Sequence, residues 1–222
     1  SRDWSSDVCS SDLGRPIILY VGGHDERKNI RGLVEISAEA VREAERTGKD
    51  VPVLVLAGRV SSPKEEERLN VALWDFSMAS DTVNLGFVTD EDLQALYCES
   101  SVFLFPSLYE GFGLPVLEAM AAGVPVACSN VSSMPEVLGD TGLTFGPQDV
   151  RSGAKAVLRL LKDKDAARSL AESAHARSRE FTWAQTGRLT REAYRAAAEV
   201  LGVETKRPAP ERGPESGMLR AG

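Results

Sequence analysis

Two glutamates bracket a pair of glycines in Glu110-Gly-Phe-Gly-Leu-Pro-Val-Leu-Glu118, a spacing able to hold an anion beside a polyol. Gly111 and Gly113 let the backbone approach a ligand closely or take positive φ. Pro115 suits the first turn of a helix, where its missing N–H costs nothing. A helix opening there turns free N–H groups and the positive end of its dipole toward the loop, which favours an anion. Glu118 falls about one turn into that helix, and Glu110 stands ahead of the glycines. Carboxylates accept hydrogen bonds from vicinal hydroxyls, so acids beside a phosphate site suit a sugar nucleotide. The same pattern also fits an ordinary Gly-rich strand-to-helix turn with two solvated glutamates.

A second cluster lies near the start of the chain. Arg27 and Lys28 follow the apolar run Pro16–Gly23 and precede a helical segment. Adjacent cations beside a helix N-terminus suit a diphosphate, Arg through forked hydrogen bonds and Lys as a point charge. The plainer alternative is two solvated charges in a surface loop. The two histidines, His24 and His175, form no pair with a nucleophile and carry no catalytic assignment. Cys9, Cys98 and Cys128 show no metal-ligand spacing, and no metal cluster can be argued.

These residues need a scaffold that brings residues 22–28 and 109–118 together. Pro16–Gly23 and Val51–Gly58 read as buried strands, followed by Thr82–Val88, Val102–Phe105, Val124–Ala127 and Leu143–Phe145. Helical periodicity fills the gaps. One helix runs Ile30–Arg46 between an Asn29 cap and a Gly48 stop, and another covers Lys64–Ala79. A third begins at a capping-box-like Thr89/Asp92 and runs through Tyr97; a short one, capped by Ser132 or Ser133, ends at Leu138. From Val150 the chain reads as helices only, over 150–162, 165–179 and 183–201. Alternation of this kind predicts an α/β fold, a Rossmann-like doubly wound parallel sheet with helices on both faces. Ligands bind such sheets at the carboxyl ends of the strands, where the loops Gly22–Lys28, Gly86–Val88 and Tyr109–Leu114 all emerge.

Residues 1–15 read as a non-native or disordered leader resembling a translated adapter, 16–201 as one domain, and 202–222 as a disordered, proline-rich tail. Across 222 residues, 42% hydrophobic content is ample for a core. A net charge of −7 argues against nucleic acid or an anionic membrane surface as the main partner. Scattered thiols fit a reducing, cytoplasmic compartment. No apolar run is long enough to span a bilayer, so membrane association is expected only through regions absent from this sequence.

The core Glu110–Glu118, continued by Ala119-Met-Ala, Gly123-Val-Pro-Val126 and Ser129-Asn-Val-Ser-Ser-Met-Pro-Glu136, resembles the donor-binding core of glycosyltransferase family 4. The resemblance spans about Ile17 to Leu201. It implies a GT-B enzyme of two facing Rossmann-like domains, of which this chain is the carboxy-terminal, donor-binding half. It further implies a retaining hexosyltransferase using a UDP- or GDP-sugar, without metal or other cofactor. The Ser129–Glu136 stretch resembles mannosyltransferase-like members and tilts the donor toward GDP-mannose. By the same resemblance Arg27 and Lys28 would hold the diphosphate and stabilise the departing nucleotide, with Gly22 and Gly23 in the same loop. Glu110 would lie at the donor sugar without acting as nucleophile, and Glu118 would accept from the ribose hydroxyls. Main-chain N–H groups of Gly111, Phe112, Gly113 and Leu114 would bind sugar hydroxyls and phosphate, and Val88 would meet the base. One departure stands out: many relatives carry Arg where this chain has Gly23. The acceptor-binding half is expected before Ile17, so this chain alone is expected to bind donor and not to turn over. The alternatives are a non-catalytic nucleotide-sugar-binding module and a Rossmann oxidoreductase. The oxidoreductase lacks support, because no Gly-x-Gly-x-x-Gly follows the first strand.

Overall fold

A computed structural model describes residues 14–202. Nearly all of the expected leader and tail lies outside the described residues. Six strands, β1 (Ile17–Val21), β2 (Val53–Ala57), β3 (Thr82–Gly86), β4 (Val102–Phe105), β5 (Val126–Ser129) and β6 (Leu143–Phe145), form one sheet in the order β3-β2-β1-β4-β5-β6. Every pairing is parallel, with Ile18 of β1 opposite both Leu54 and Val102. β2, β4 and β5 are buried throughout and β1 nearly so, as expected for central strands covered on both faces. Chain order reverses between β1 and β4, which places the ligand crevice of such a sheet at their carboxyl ends.

The helices are α1 (Ile30–Thr47), α2 (Pro63–Asp75), α3 (Asp90–Glu99), α4 (Leu114–Ala121), α5 (Met134–Leu138), α6 (Val150–Lys162), α7 (Lys164–Ser178) and α8 (Trp183–Leu201). α1 packs against α2 and α6, and α4 against α5 and α7. The apolar side of α1, including Leu33, Ile36 and Val41, is buried. Asn29 caps α1 by accepting from the Gly32 N–H, and Gly48 closes it in the left-handed conformation, as the sequence suggests. The Thr89 cap of α3 also forms, its hydroxyl accepting from the Asp92 N–H at 3.2 Å.

Some boundaries differ from the expected ones. α2 stops at Asp75, short of Ala79, because Ser77 adopts φ 59° and the Met78 N–H turns back to the Leu73 carbonyl. β5 starts two residues later than expected and runs to Ser129. Ser133 occupies the N-cap position of α5 but makes no capping bond, since both expected capping serines serve Glu110 instead.

The contacts divide the chain into two units, one ending at Glu180 and the other beginning at Phe181. The first holds the sheet and the helices through α7. The second holds α8, capped by Thr182, with Trp183, Tyr194 and Leu201 exposed. Among the described residues no helix is long and apolar enough to cross a membrane.

Candidate functional site

The loop after β1 and the loop after β4 are tied to each other. The Leu108 N–H donates to the Arg27 carbonyl at 2.7 Å, and Asn29 donates through Nδ2 to the carbonyls of Pro106 at 3.0 Å and Pro147 at 2.9 Å. Asn29 therefore caps α1 with its oxygen while its amide nitrogen pins the two loops. This stitching seats Lys28 against Glu110, with Nζ 2.7 Å from Oε1. The pair is largely withdrawn from water, at 13% and 10% side-chain exposure.

Glu110 is held from every side. The buried Ser107 hydroxyl donates to the same Oε1 at 2.8 Å, and the Ser107 carbonyl accepts from the Ser129 hydroxyl at 2.6 Å. The Glu110 N–H donates to the Ser132 hydroxyl at 3.0 Å, and the Ser133 hydroxyl donates to the Glu110 carbonyl at 3.5 Å. Lys28 Nζ also lies 4.9 Å from the centre of the Phe105 ring, which stacks on Tyr20. Burial, with Asp25 and Glu110 adding to it, raises the Tyr20 phenol well above its ordinary range. Tyr20 thus keeps its proton and donates to the Gly23 carbonyl at 2.7 Å, bracing the loop from beneath.

Beyond Glu110 the chain turns through an exposed Gly111 and Phe112 into Gly113, which caps α4 with φ 96°. A Cβ on Gly113 would stand 2.4 Å from the Met134 methyl, which would have to shift, and φ 96° is what favours glycine there. Gly111 is different: its φ is not positive and open space surrounds it. No side chain caps α4; the Val116 and Leu117 N–H groups donate to the Gly113 carbonyl and Pro115 has none, which leaves Leu114 as the first-turn donor facing the loop. Glu118, exposed on α4, accepts from the Tyr97 hydroxyl at 3.0 Å. Burial, followed by the Glu118 charge, raises the Tyr97 phenol and keeps it a donor.

Of the residues singled out in the sequence, Lys28 and Glu110 touch. Gly22 and Gly23 lie in the Lys28 loop, while Gly111, Phe112, Gly113, Leu114 and Glu118 follow Glu110 along one turn and helix. Arg27 departs from the expected pair of cations facing the acids: its side chain is 57% exposed and turns to Asp25 at 3.1 Å. Val88 packs half-buried against the core just after β3. Ser107, Tyr20 and Tyr97 carry no signal in the sequence, and Ser132 and Ser133 signal only a helix cap, because the partners lie distant in the chain or the residue types are common. His24 is buried at 1%, and neither ring nitrogen has a hydrogen-bond partner. Among the described residues no group of three or more His, Cys, Asp and Glu could hold a metal. Two Asp-x-Asp spacings stand at helix starts. In Asp90–Asp92 the Asp92 carboxylate accepts from Thr89, and in Asp163–Asp165 Asp163 caps α7.

The sheet order and its reversal between β1 and β4 define a Rossmann-like, doubly wound domain. Residues 15–163 match the family described as Glycosyl transferases group 1. The chain is 40% identical over 182 residues to O-antigen chain mannosyltransferase B of Escherichia coli, covering 80% of this chain and 45% of that protein. It is 31% identical over 195 residues to alpha-maltose-1-phosphate synthase of Mycolicibacterium smegmatis, covering 83% and 49%. Among solved structures, sucrose-phosphate synthase from Thermosynechococcus elongatus superposes with a TM-score of 0.71 at 32% identity, over 84% of this chain and 48% of that one. Anabaena HepE in complex with UDP and glucose shares the fold, with a TM-score of 0.72 at 18% identity, over 84% and 51%. The chain belongs to the glycosyl transferases of group 1, and its likeness to mannosyltransferases extends beyond the motif. It spans about half the length of these relatives.

Proposed function

We propose that this chain is the donor-binding half of a retaining hexosyltransferase that takes a UDP- or GDP-sugar, GDP-mannose in the first place. An acceptor-binding half would complete the enzyme in the longer protein. The observation carrying this reading is the Lys28–Glu110 contact, which sets a cation and a carboxylate just ahead of a helix start that no side chain caps.

In this reading Lys28 and Arg27 meet the diphosphate and stabilise the charge that builds on the departing nucleotide. Arg27 reaches it by exchanging Asp25 for phosphate, and Gly22 and Gly23 leave the room. The N–H groups of Gly113 and Leu114, with those of Gly111 and Phe112 before them, bind phosphate oxygens and sugar hydroxyls. Glu118, with one oxygen already oriented by Tyr97, accepts from the ribose hydroxyls, and the backbone at Val88 meets the base. Glu110 positions the donor sugar. Lys28 and Ser107 fix its carboxylate through Oε1, and, as the resemblance implies, transfer takes place on one face of the sugar without a covalent Glu110 adduct. GDP-mannose comes first because the chain is similar to proteins named as mannosyltransferases.

Calorimetric titration with UDP-, GDP- and ADP-sugars tests this. One of the first two should bind saturably, and Glu118→Ala should weaken it roughly tenfold or more, as expected for losing hydrogen bonds to a charged group. Undiminished affinity in Glu118→Ala would remove the ribose assignment. No binding of any nucleotide sugar would remove the function.

A further inference from the structure

The loops that end β2 and β3 hold a feature that no role above uses. The Gly58 N–H donates to the Gly86 carbonyl at 2.7 Å, and the Gly22 N–H donates to the Ala57 carbonyl at 2.9 Å. A Cβ on Gly58 would stand 2.0 Å from the Gly22 carbonyl oxygen. The carboxyl ends of β1, β2 and β3 are thus drawn into one surface. The residues after Gly58 and Gly86 are Arg59 and Phe87, and the Arg59 guanidinium lies over the Phe87 ring, 4.6 Å from its centre. Phe87 is 68% exposed. Among the described residues Arg59 makes no hydrogen bond or ion pair, so its donors are unspent. Its carbonyl oxygen stands 3.7 Å from where a Cβ of Gly23 would be, so the Arg59 backbone borders the loop of Lys28.

We infer that Arg59, placed over Phe87, reads the base of the bound nucleotide and selects guanine over adenine. This rests on the donor reading above. A guanidinium over an aromatic ring is a preorganised planar platform, since the ring restrains its plane and leaves its edge open. The edge carries only donors. Guanine offers two adjacent acceptors, O6 and N7, which a forked guanidinium meets together; adenine puts an amino donor where guanine has O6. Adenine therefore faces donor with donor at one of the two contacts.

Calorimetry on the full chain with GDP, IDP, ADP and UDP tests the inference, because IDP keeps O6 and N7 and lacks only the 2-amino group of guanine. GDP and IDP should each bind at least about tenfold more tightly than ADP. Arg59→Ala should bring the GDP-to-ADP ratio within about threefold. An unchanged ratio in Arg59→Ala, equal binding of GDP and ADP by the unaltered chain, or tight UDP with weak GDP and ADP would each overturn the inference while leaving the donor site standing. Failure of all four ligands to bind would overturn both.

Discussion

Lys28 and Glu110 lie 82 residues apart and meet in a setting that gives neither much water. In such a pair most of the mutual attraction offsets desolvation, while removal of one partner strands the other. Lys28→Ala should therefore lower unfolding stability by about 3 kcal/mol. In a double-mutant cycle with Glu110→Gln the two losses should fall short of additivity by about 1 kcal/mol or more. Additive losses, read by urea denaturation, would mean that the contact contributes nothing specific. His24 gives a second test. Burial lowers its pKa from the ordinary 6.5, with Glu65 opposing weakly. The unfolded chain thus takes up a proton as pH falls through about 6.5 while the folded chain resists it. The contribution of His24 to stability is full above that pH and is lost on acidification. His24→Leu should flatten the fall in melting temperature between pH 7.5 and 5, on the order of that one group's linkage. An unchanged pH profile would show that His24 opens freely to solvent.

At the scale of elements the site depends on how α4 starts. Gly113 combines φ 96° with a Met134 methyl where a Cβ would be. Gly113→Ala should cost about 1–3 kcal/mol, and in a double-mutant cycle with Met134→Ala, which alone opens a cavity at that buried site, the steric part should appear as the coupling while the left-handed backbone cost remains. A coupling as large as the whole Gly113→Ala loss would assign the effect to packing. The elements themselves were largely legible. Ile17–Val21, Val53–Ala57 and Val102–Phe105 are unbroken apolar runs, as buried parallel strands must be, and Asn29, Gly48 and Thr89 mark helix ends by local chemistry. The end of α2 was not legible, because it is set by a left-handed Ser77, a residue type that carries no such requirement. Nor was the support of Glu110. Ser107, Ser129, Ser132 and Ser133 look like any loop serines until the sheet brings β4 and β5 side by side. The motif around Glu110 could be read because glycine and proline write their backbone demands into the sequence. Arg27 and Lys28 could be read only as a pair of charges, and the fold divides them between solvent and the interior.

For the molecule as a whole, net charge and binding site pull in opposite directions. A chain of net charge −7 does not attract an anionic ligand from a distance, so the proposed diphosphate would be held through a few local cations and the α4 tip. The parallel sheet makes this possible by delivering three loops to one edge. The most direct measurement is calorimetry of Arg27→Ala beside the unaltered chain, using whichever of UDP or GDP binds more tightly and its matching nucleoside. Arg27 is exposed, so its loss should not disturb the fold. The expected result is a loss of at least about tenfold for the nucleoside diphosphate, on the scale of a charge-assisted hydrogen bond, with nucleoside affinity held within about twofold. Equal losses for both ligands, or none for either, would contradict a diphosphate seated between the β1 loop and the tip of α4.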